Sequence, residues 1–434
     1  VSLISIREYD RLCFGEGASS GAEPVISAWV AHHLRGLTRK HGFDVFKLSS
    51  ETTLTSQQYV GVAQAGGVTV EILPKVEGID GTTMRRNLIG MLSVALDLEI
   101  SVGDMARVST QQSGILEIFI RLFCEKLFAQ VHRGLVRRYE AREENLRFLR
   151  GRLAVIEQAR LNFTNPERLY CRFDELQEDN AMNQVLKAAV KLLRQISRDL
   201  GNQRNLNALS LVFEGVSELP ARMLPWNRVS FDRMSDRYRP SYKLAEMFLK
   251  NTPPDVGGGS ASGYSIFFDM NVLFEEYIGR VAKNAFRETG CRVTLQGPKK
   301  FLARDETTSL AAFALKPDVV GTRNQKTEWI IDTKWKRLTV EKPKDGVISA
   351  DVYQMYAYAN CYACADVVLL YPHHSELDAG AGVRSSYTLT LPLAGSGGDD
   401  VRRIHVATID LSDLSGVADQ LRSAVAGRMI PISI

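Results

Sequence analysis

At 434 residues the chain is too long for one typical hydrophobic core, so two or three domains are expected rather than a single module. An apolar fraction of 45% and a charged fraction of 24% are those of ordinary soluble globular protein, and no segment approaches the roughly 18 unbroken apolar residues of a membrane span. The formal charge of +4 permits nucleic-acid binding without arguing for it, since a local patch matters more than the sum. The opening VSLISIREYDRLCF lacks a basic leader followed by an apolar stretch and a cleavage site, so a cytoplasmic location is expected.

In chain order, YVGVAQAGGVTVEILPKV gives two β-rich runs around Gly66-Gly67, a hairpin signal because glycine accepts the positive φ of a tight turn. From about Ser113 the spacing turns helical: Ile115, Leu116, Phe119, Leu122, Phe123, Leu127 and Val131 recur at three and four residues. Arg133, Arg137, Arg138, Arg142, Arg147, Arg150 and Arg152 crowd the next stretch among Glu140, Glu143 and Glu144, which reads as a solvated helix face rather than a DNA track. Val185, Leu186, Ala189, Leu192, Leu193 and Ile196 mark another helical stripe, and SYKLAEMFLK a further helix.

The stretch NTPPDVGGGSASG, residues 251–263, resists both helix and strand and reads as a flexible loop or junction. Beyond it come helix NVLFEEYIGRVAKNAF, the β-rich runs AAFALKPDVVG and EWIIDTKWK, helix GVISADVYQMYAYANCYA, and the β-rich runs ADVVLLYP and RRIHVATIDL, an α/β layered order. The six cysteines, Cys13, Cys124, Cys171, Cys291, Cys361 and Cys364, are scattered, so disulfides are not expected. Cys361 and Cys364 form a C-x-x-C with no second Cys or His pair nearby and read as buried small side chains rather than zinc or redox ligands. His373 and His374 are adjacent at a strand end, which points them to opposite faces and favours surface positions over a shared metal.

Chemistry concentrates in EWIIDTKWK. Asp332 and Lys334 are two apart on a predicted strand, so both side chains share one face while Thr333 points the other way. Asp318 lies in the preceding run LKPDVVG, and TRNQKT can turn the chain so that the two strands pair and bring the carboxylates together. Phosphodiester hydrolysis needs a cation to neutralise transition-state charge and to acidify water. Mg²⁺ asks for only one or two aspartates, because it keeps several waters. A lysine ammonium nearby can orient the attacking water. Alone, D-x-K is a weak signal, better read without further context as an exposed strand end with a surface salt bridge. The buried-strand run Trp329-Ile330-Ile331 before Asp332 favours a site at a sheet edge. Gln354 and Tyr358, i and i+4 on a predicted helix, share a face from which they could support it.

At Pro317-Asp318, Asp332-x-Lys334 and Gln354-x-x-x-Tyr358 the sequence resembles the PD-(D/E)xK nuclease superfamily, in its RecB-like branch. VEILPKV at 70–76, LRGRL at 149–153, CRFDELQEDNAMNQVLK at 171–187 and LFEEYI at 273–278 extend the resemblance, in order, to the McrC family, nuclease subunits of the McrBC modified-cytosine restriction system. The resemblance implies that Asp318 and Asp332 bind Mg²⁺, that Lys334 helps activate water, and that Glu275, or its neighbour Glu276, adds an acidic group from the preceding helix. It also implies docking of the N-terminal region on a McrB-like AAA+ GTPase hexamer, whose hydrolysis the chain stimulates. The absence of G-x-x-x-x-G-K-[ST] agrees that nucleotide is hydrolysed elsewhere. Lys75, Arg85 and Arg86 are candidates to reach that partner, or an exposed basic loop.

The expected fold class is therefore α/β multidomain: a mixed α/β partner-docking region at 1–112, a helical middle region at 113–252, and a C-terminal PD-(D/E)xK restriction-endonuclease-like domain at 264–434. The expected activity is Mg²⁺-dependent DNA cleavage with an AAA+ partner and no membrane association. The other readings are a regulatory partner of an AAA+ motor whose nuclease site is unused, and a stand-alone repair nuclease.

Overall fold

The computed structural model of the chain describes residues 2–15, 23–39, 44–76, 79–98, 100, 114–251, 263–377, 380–389 and 401–426. Two compact units emerge: Ser113–Ile266, and a second assembled from Ser2–Gln112 together with Phe267–Ile434. Most of the Pro-Gly-Ser stretch, residues 252–262, lies outside the described residues. Among the described residues no helix is long and apolar enough to cross a membrane.

In the unit Ser113–Ile266, helix Ile115–Val131 buries all seven residues of its predicted stripe, and helix Ala181–Ile196 buries all six of its own. Helices Leu200–Val212 and Arg239–Lys250 pack on both, which gives the stripes a shared core. Side-chain caps fix two helix starts, Asn180 accepting from the Asn183 N–H and Asp199 from the Asn202 N–H.

The arginine-rich stretch is not helical. Residues of that stretch form strand Arg138–Leu146, antiparallel to Leu169–Gln177, which pairs on its other side with Arg152–Leu153. Opposite charges then meet across strands instead of along a helix: Arg172 Nε lies 2.5 Å from Glu143 Oε1, and Arg142 Nε lies 3.4 Å from Glu175 Oε2. The middle region is thus mixed α/β rather than purely helical. Gly151, in LRGRL, has φ +70, and a Cβ there would overlap the Arg172 carbonyl and Phe173.

In the second unit, strand Ser2–Arg7 runs parallel to Val68–Leu73, which turns through Gly66 and Gly67, at φ +56 and +78, into an antiparallel pair with Tyr59–Ala65. A second small sheet orders its strands Val25–Ile26, Arg11–Phe14, Thr53–Ser56 and Phe46–Ser50. Helix Gly81–Leu96, capped by Asp80, packs on helix Met270–Ala285, and Asn87 Nδ2 donates to the carbonyls of Leu411 at 2.8 Å and Ser412 at 2.9 Å. These contacts join the N-terminal and C-terminal stretches into one body.

The largest sheet orders its strands Arg292–Leu295, Val319–Arg323, Lys326–Thr333, Asp366–Pro372, Arg403–Ile409 and Gly382–Thr388. Its three central strands are parallel, and helix Ser349–Cys361 connects the first two of them. Val320, Ile330, Val367, Leu369, Ile404 and Val406 bury one face against Met355, Tyr358, Ala359 and Tyr362. By alternation, Asp318, Asp332 and Lys334 belong to this same face.

Candidate active site

Strand Val319–Arg323 pairs antiparallel with Lys326–Thr333, Val319 opposite Ile331, so one step further on Asp318 comes opposite Asp332. The turn between them places Asn324 and Gln325 at positive φ, a conformation asparagine tolerates well. Asp332 is 1% exposed, and Lys334 Nζ lies 2.5 Å from its Oδ2. From the connecting helix Gln354 accepts from Lys334 Nζ through Oε1 at 3.1 Å, and its Nε2 donates to Tyr358 Oη at 2.7 Å. The structure therefore joins Asp332, Lys334, Gln354 and Tyr358 in one chain of contacts, with Asp318 beside it.

Thr333 corrects the expectation that it points away. At the strand end its N–H and Oγ1 both donate to Asp318 Oδ2, each at 2.7 Å. Gln296 also escaped sequence reasoning. Its N–H donates to the Asp318 carbonyl at 2.8 Å and its Nε2 to Glu275 Oε1 at 2.9 Å, from a loop with no periodic signal. Glu275 faces this cluster, whereas Glu276 lies 3.7 Å from Arg280 Nε one turn along the helix.

Three carboxyls here are raised above their ordinary values. Burial pushes Asp332 up to about 7, the Asp318 carboxylate adds to it, and Lys334 only partly offsets both. Burial also raises Asp318, against the hydrogen bonds from Thr333, and raises Glu275 with help from Asp318. Burial works against the Lys334 ammonium, but Asp332, Asp351 and Asp318 together hold its pKa above the usual value.

Such crowding of partly uncompensated negative charge suits a cation. Asp332 Oδ2 is buried and has no aligned hydrogen-bond donor. Among the described residues no three His, Cys, Asp or Glu side chains gather closely enough to cage an ion by themselves. The donor set fits a hard ion that binds one or two carboxylates and completes its shell with water. Cys364 is buried with its thiol donating to the Asp366 carbonyl at 3.2 Å, so the C-x-x-C stands apart from this chemistry.

The basic and histidine candidates fall elsewhere. Arg85 is a helix residue whose Nε lies 2.7 Å from the fully buried Glu71 and whose Nη2 donates to Ser5, rather than part of an exposed loop. His374 is buried, Nε2 against the Leu338 carbonyl, and His373 Nδ1 meets Thr408, because the strand end carrying them is covered. Both line a cavity of about 360 Å³ with Glu8, Tyr9, Trp335 and Lys336. In its wall Trp335 Nε1 donates to both Glu8 oxygens at 3.1 Å, and the Lys75 N–H donates to Oε2 at 3.0 Å.

A family model described as McrBC 5-methylcytosine restriction system component matches residues 54–372. No curated protein matches the chain. Among solved structures, a chain of the refined half-complex from a tetradecameric assembly of Thermococcus gammatolerans McrB AAA+ hexamers with bound McrC is similar at TM-score 0.69 and 21% identity. That likeness covers 98% of this chain and 100% of the other. A chain of the Thermococcus gammatolerans McrBC complex is similar at TM-score 0.52 and 24% identity over 66% of this chain and 88% of that one. At these identities the likeness is one of fold.

Proposed function

This chain belongs to the family of McrBC 5-methylcytosine restriction system components, and we propose that it is the Mg²⁺-dependent DNA endonuclease subunit of such a system. In this reading it works docked on an AAA+ GTPase hexamer, as McrC is bound to McrB in the similar assembly. The observation that carries the proposal is the contact chain Asp332, Lys334, Gln354, Tyr358 with Asp318 opposite, which supports the PD-(D/E)xK reading that the sequence resemblance implies.

Asp318 and Asp332 would hold the cation, and Glu275, held by Gln296 beside the Asp318 strand, adds negative charge to the site. Bound there, Mg²⁺ supplies positive charge against the scissile phosphate and lowers the pKa of water. The residues of this chain do the positioning. Thr333 fixes the Asp318 carboxylate through two donors. Lys334 directs its ammonium toward the carboxylates and the attacking water, and Gln354 holds it there, its own amide oriented by Tyr358. The ammonium also offsets charge that builds on the phosphate as the bond to the leaving oxygen breaks.

The test is plasmid cleavage in Mg²⁺ with the AAA+ partner and GTP, omitting each component in turn and comparing Asp332→Ala with wild type. Cutting that needs partner, GTP and Asp332 is the expected result. Cutting that persists without partner would make the chain an autonomous nuclease, and normal cutting by Asp332→Ala would place the active site elsewhere.

A further inference from the structure

Between the strands Arg292–Leu295 and Val319–Arg323 the chain inserts a two-stranded ribbon, Lys300–Arg304 antiparallel to Ala311–Leu315, that belongs to no larger sheet. All five residues of the first strand are exposed, and the second strand has none buried. Isolated two-stranded ribbons are marginal in water, so a ribbon with four exposed large apolar residues is a surface made to be covered. Those residues are Phe301, Leu302, Leu310 and Phe313, the last 73% exposed.

The base of the ribbon is tied to the body of the domain. Tyr362 Oη donates to the carbonyls of Pro298 at 2.5 Å and Leu315 at 3.2 Å, and Lys300 Nζ donates to the Cys361 carbonyl at 2.8 Å. Asp318 follows the second strand by three residues, and the Gln296 bond to its carbonyl closes the base. The ribbon is thus mounted directly on the candidate active site. At the tip, Asp305 accepts from the Thr307 and Thr308 N–H groups and organises the turn.

Charge and geometry select the occupant. Lys299, Lys300, Arg304 and Lys316 flank the exposed apolar residues, against Asp305 and Glu306 at the tip alone. The strand period puts Lys300, Leu302 and Arg304 on one face. Phe301 pairs with Ala314 and Ala303 with Ala312, so Leu302 and Phe313 lie opposite one another between them. Phe313 is held at φ +57, a backbone conformation that costs about 1 kcal/mol or more for a bulky residue, with its ring in solvent. Cations bracketing an apolar pair match a nucleic-acid groove, phosphates outside and base edges within, and a two-stranded ribbon is of a width that DNA grooves admit.

We propose that the ribbon 300–315 enters a groove of duplex DNA beside the scissile phosphate, Leu302 and Phe313 against the bases and the flanking lysines and arginine on the backbone. This rests on the nuclease reading for the identity of the polymer, but its test does not depend on cleavage. The full chain is titrated, in EDTA, against a fluorescein-labelled duplex, comparing wild type with Leu302→Ser/Phe313→Ser, with thermal melting to confirm that the exposed-residue variant folds as wild type. The ribbon variant is expected to bind about tenfold more weakly, in line with the loss of one base contact. Equal binding by wild type and ribbon variant overturns the proposal, as does a wild type that does not bind the duplex. A variant that binds the duplex normally but no longer retains the AAA+ partner assigns the ribbon to that partner instead. If the ribbon variant loses binding yet wild type with partner, GTP and Mg²⁺ never cuts, the ribbon stands and the nuclease reading fails.

Discussion

Asp332 carries two burdens that pull in opposite directions, burial and an adjacent carboxylate against one ammonium, and its pKa of about 7 records the balance. Below about pH 7 the group holds a proton, and a proton competes with a cation for the same oxygen. The Mg²⁺ concentration for half-maximal cutting should therefore rise as pH falls from 8 to 6, by up to about tenfold per pH unit below the pKa. Measuring it at pH 6, 7 and 8 checks this, and a requirement unchanged between 6 and 8 refutes the assignment of Asp332 as a ligand. Thr333 offers a second test. Thr333→Val removes one of two donors to Asp318 and should slow cleavage about tenfold, the weight of one hydrogen bond to a charged group. Thr333→Ser should restore most of the rate, and a Val variant as fast as wild type would show that the hydroxyl positions nothing. Asp318, Asp332 and Lys334 were legible in sequence because a period of two and a turn suffice to bring them together. Thr333 and Gln296 were not, since their contacts depend on how a strand ends and where a loop returns.

At the scale of elements, the pairing that presents Asp318 depends on Gly321. A Cβ at that position would run into the Trp329 indole, which lies across the neighbouring strand and packs against Phe286 with centroids 4.8 Å apart. The register of the two strands shifts between Gly321 and Thr322, so the glycine sits where the ladder is already irregular. Gly321→Ala should destabilise the unit by about 1–3 kcal/mol through overpacking. Urea unfolding would read this directly, and a change below about 0.5 kcal/mol would mean that the indole swings away freely. The helices were legible from their apolar stripes, because burial on one side leaves a 3.6-residue period. The strand Arg138–Leu146 was not, because none of its residues is buried and its mixed Arg and Glu run carries no apolar period to distinguish cross-strand pairing from an i to i+4 lattice.

At the scale of the whole chain, the stretch expected to be a separate docking region shares a body with the strands that carry the candidate site, and the two are joined at the buried carboxyl of Glu8. Fully buried at the end of the first strand, it takes Trp335 Nε1 on both oxygens, and Trp335 directly follows Lys334 and packs on Phe274 at 5.3 Å. Burial raises Glu8 from 4.5 to about 7, the hydrogen bonds from Lys75 and Trp335 opposing it. The folded chain thus holds a proton that the unfolded chain releases, so stability from this group is complete below about pH 4.5 and is lost as pH rises toward 7 and beyond. The loss amounts to about 3 kcal/mol for a gap of that size. Glu8→Gln keeps an acceptor for the indole and carries no charge, so it should be more stable than wild type at pH 8, on the order of 2 kcal/mol, and nearly equal to it at pH 5. Paired urea unfolding at the two pH values isolates the effect, because every other titrating group is common to both proteins. A difference between variant and wild type that is the same at pH 5 and pH 8 would mean that Glu8 stays ionised in the fold, with the Trp335 and Lys75 donors outweighing its burial.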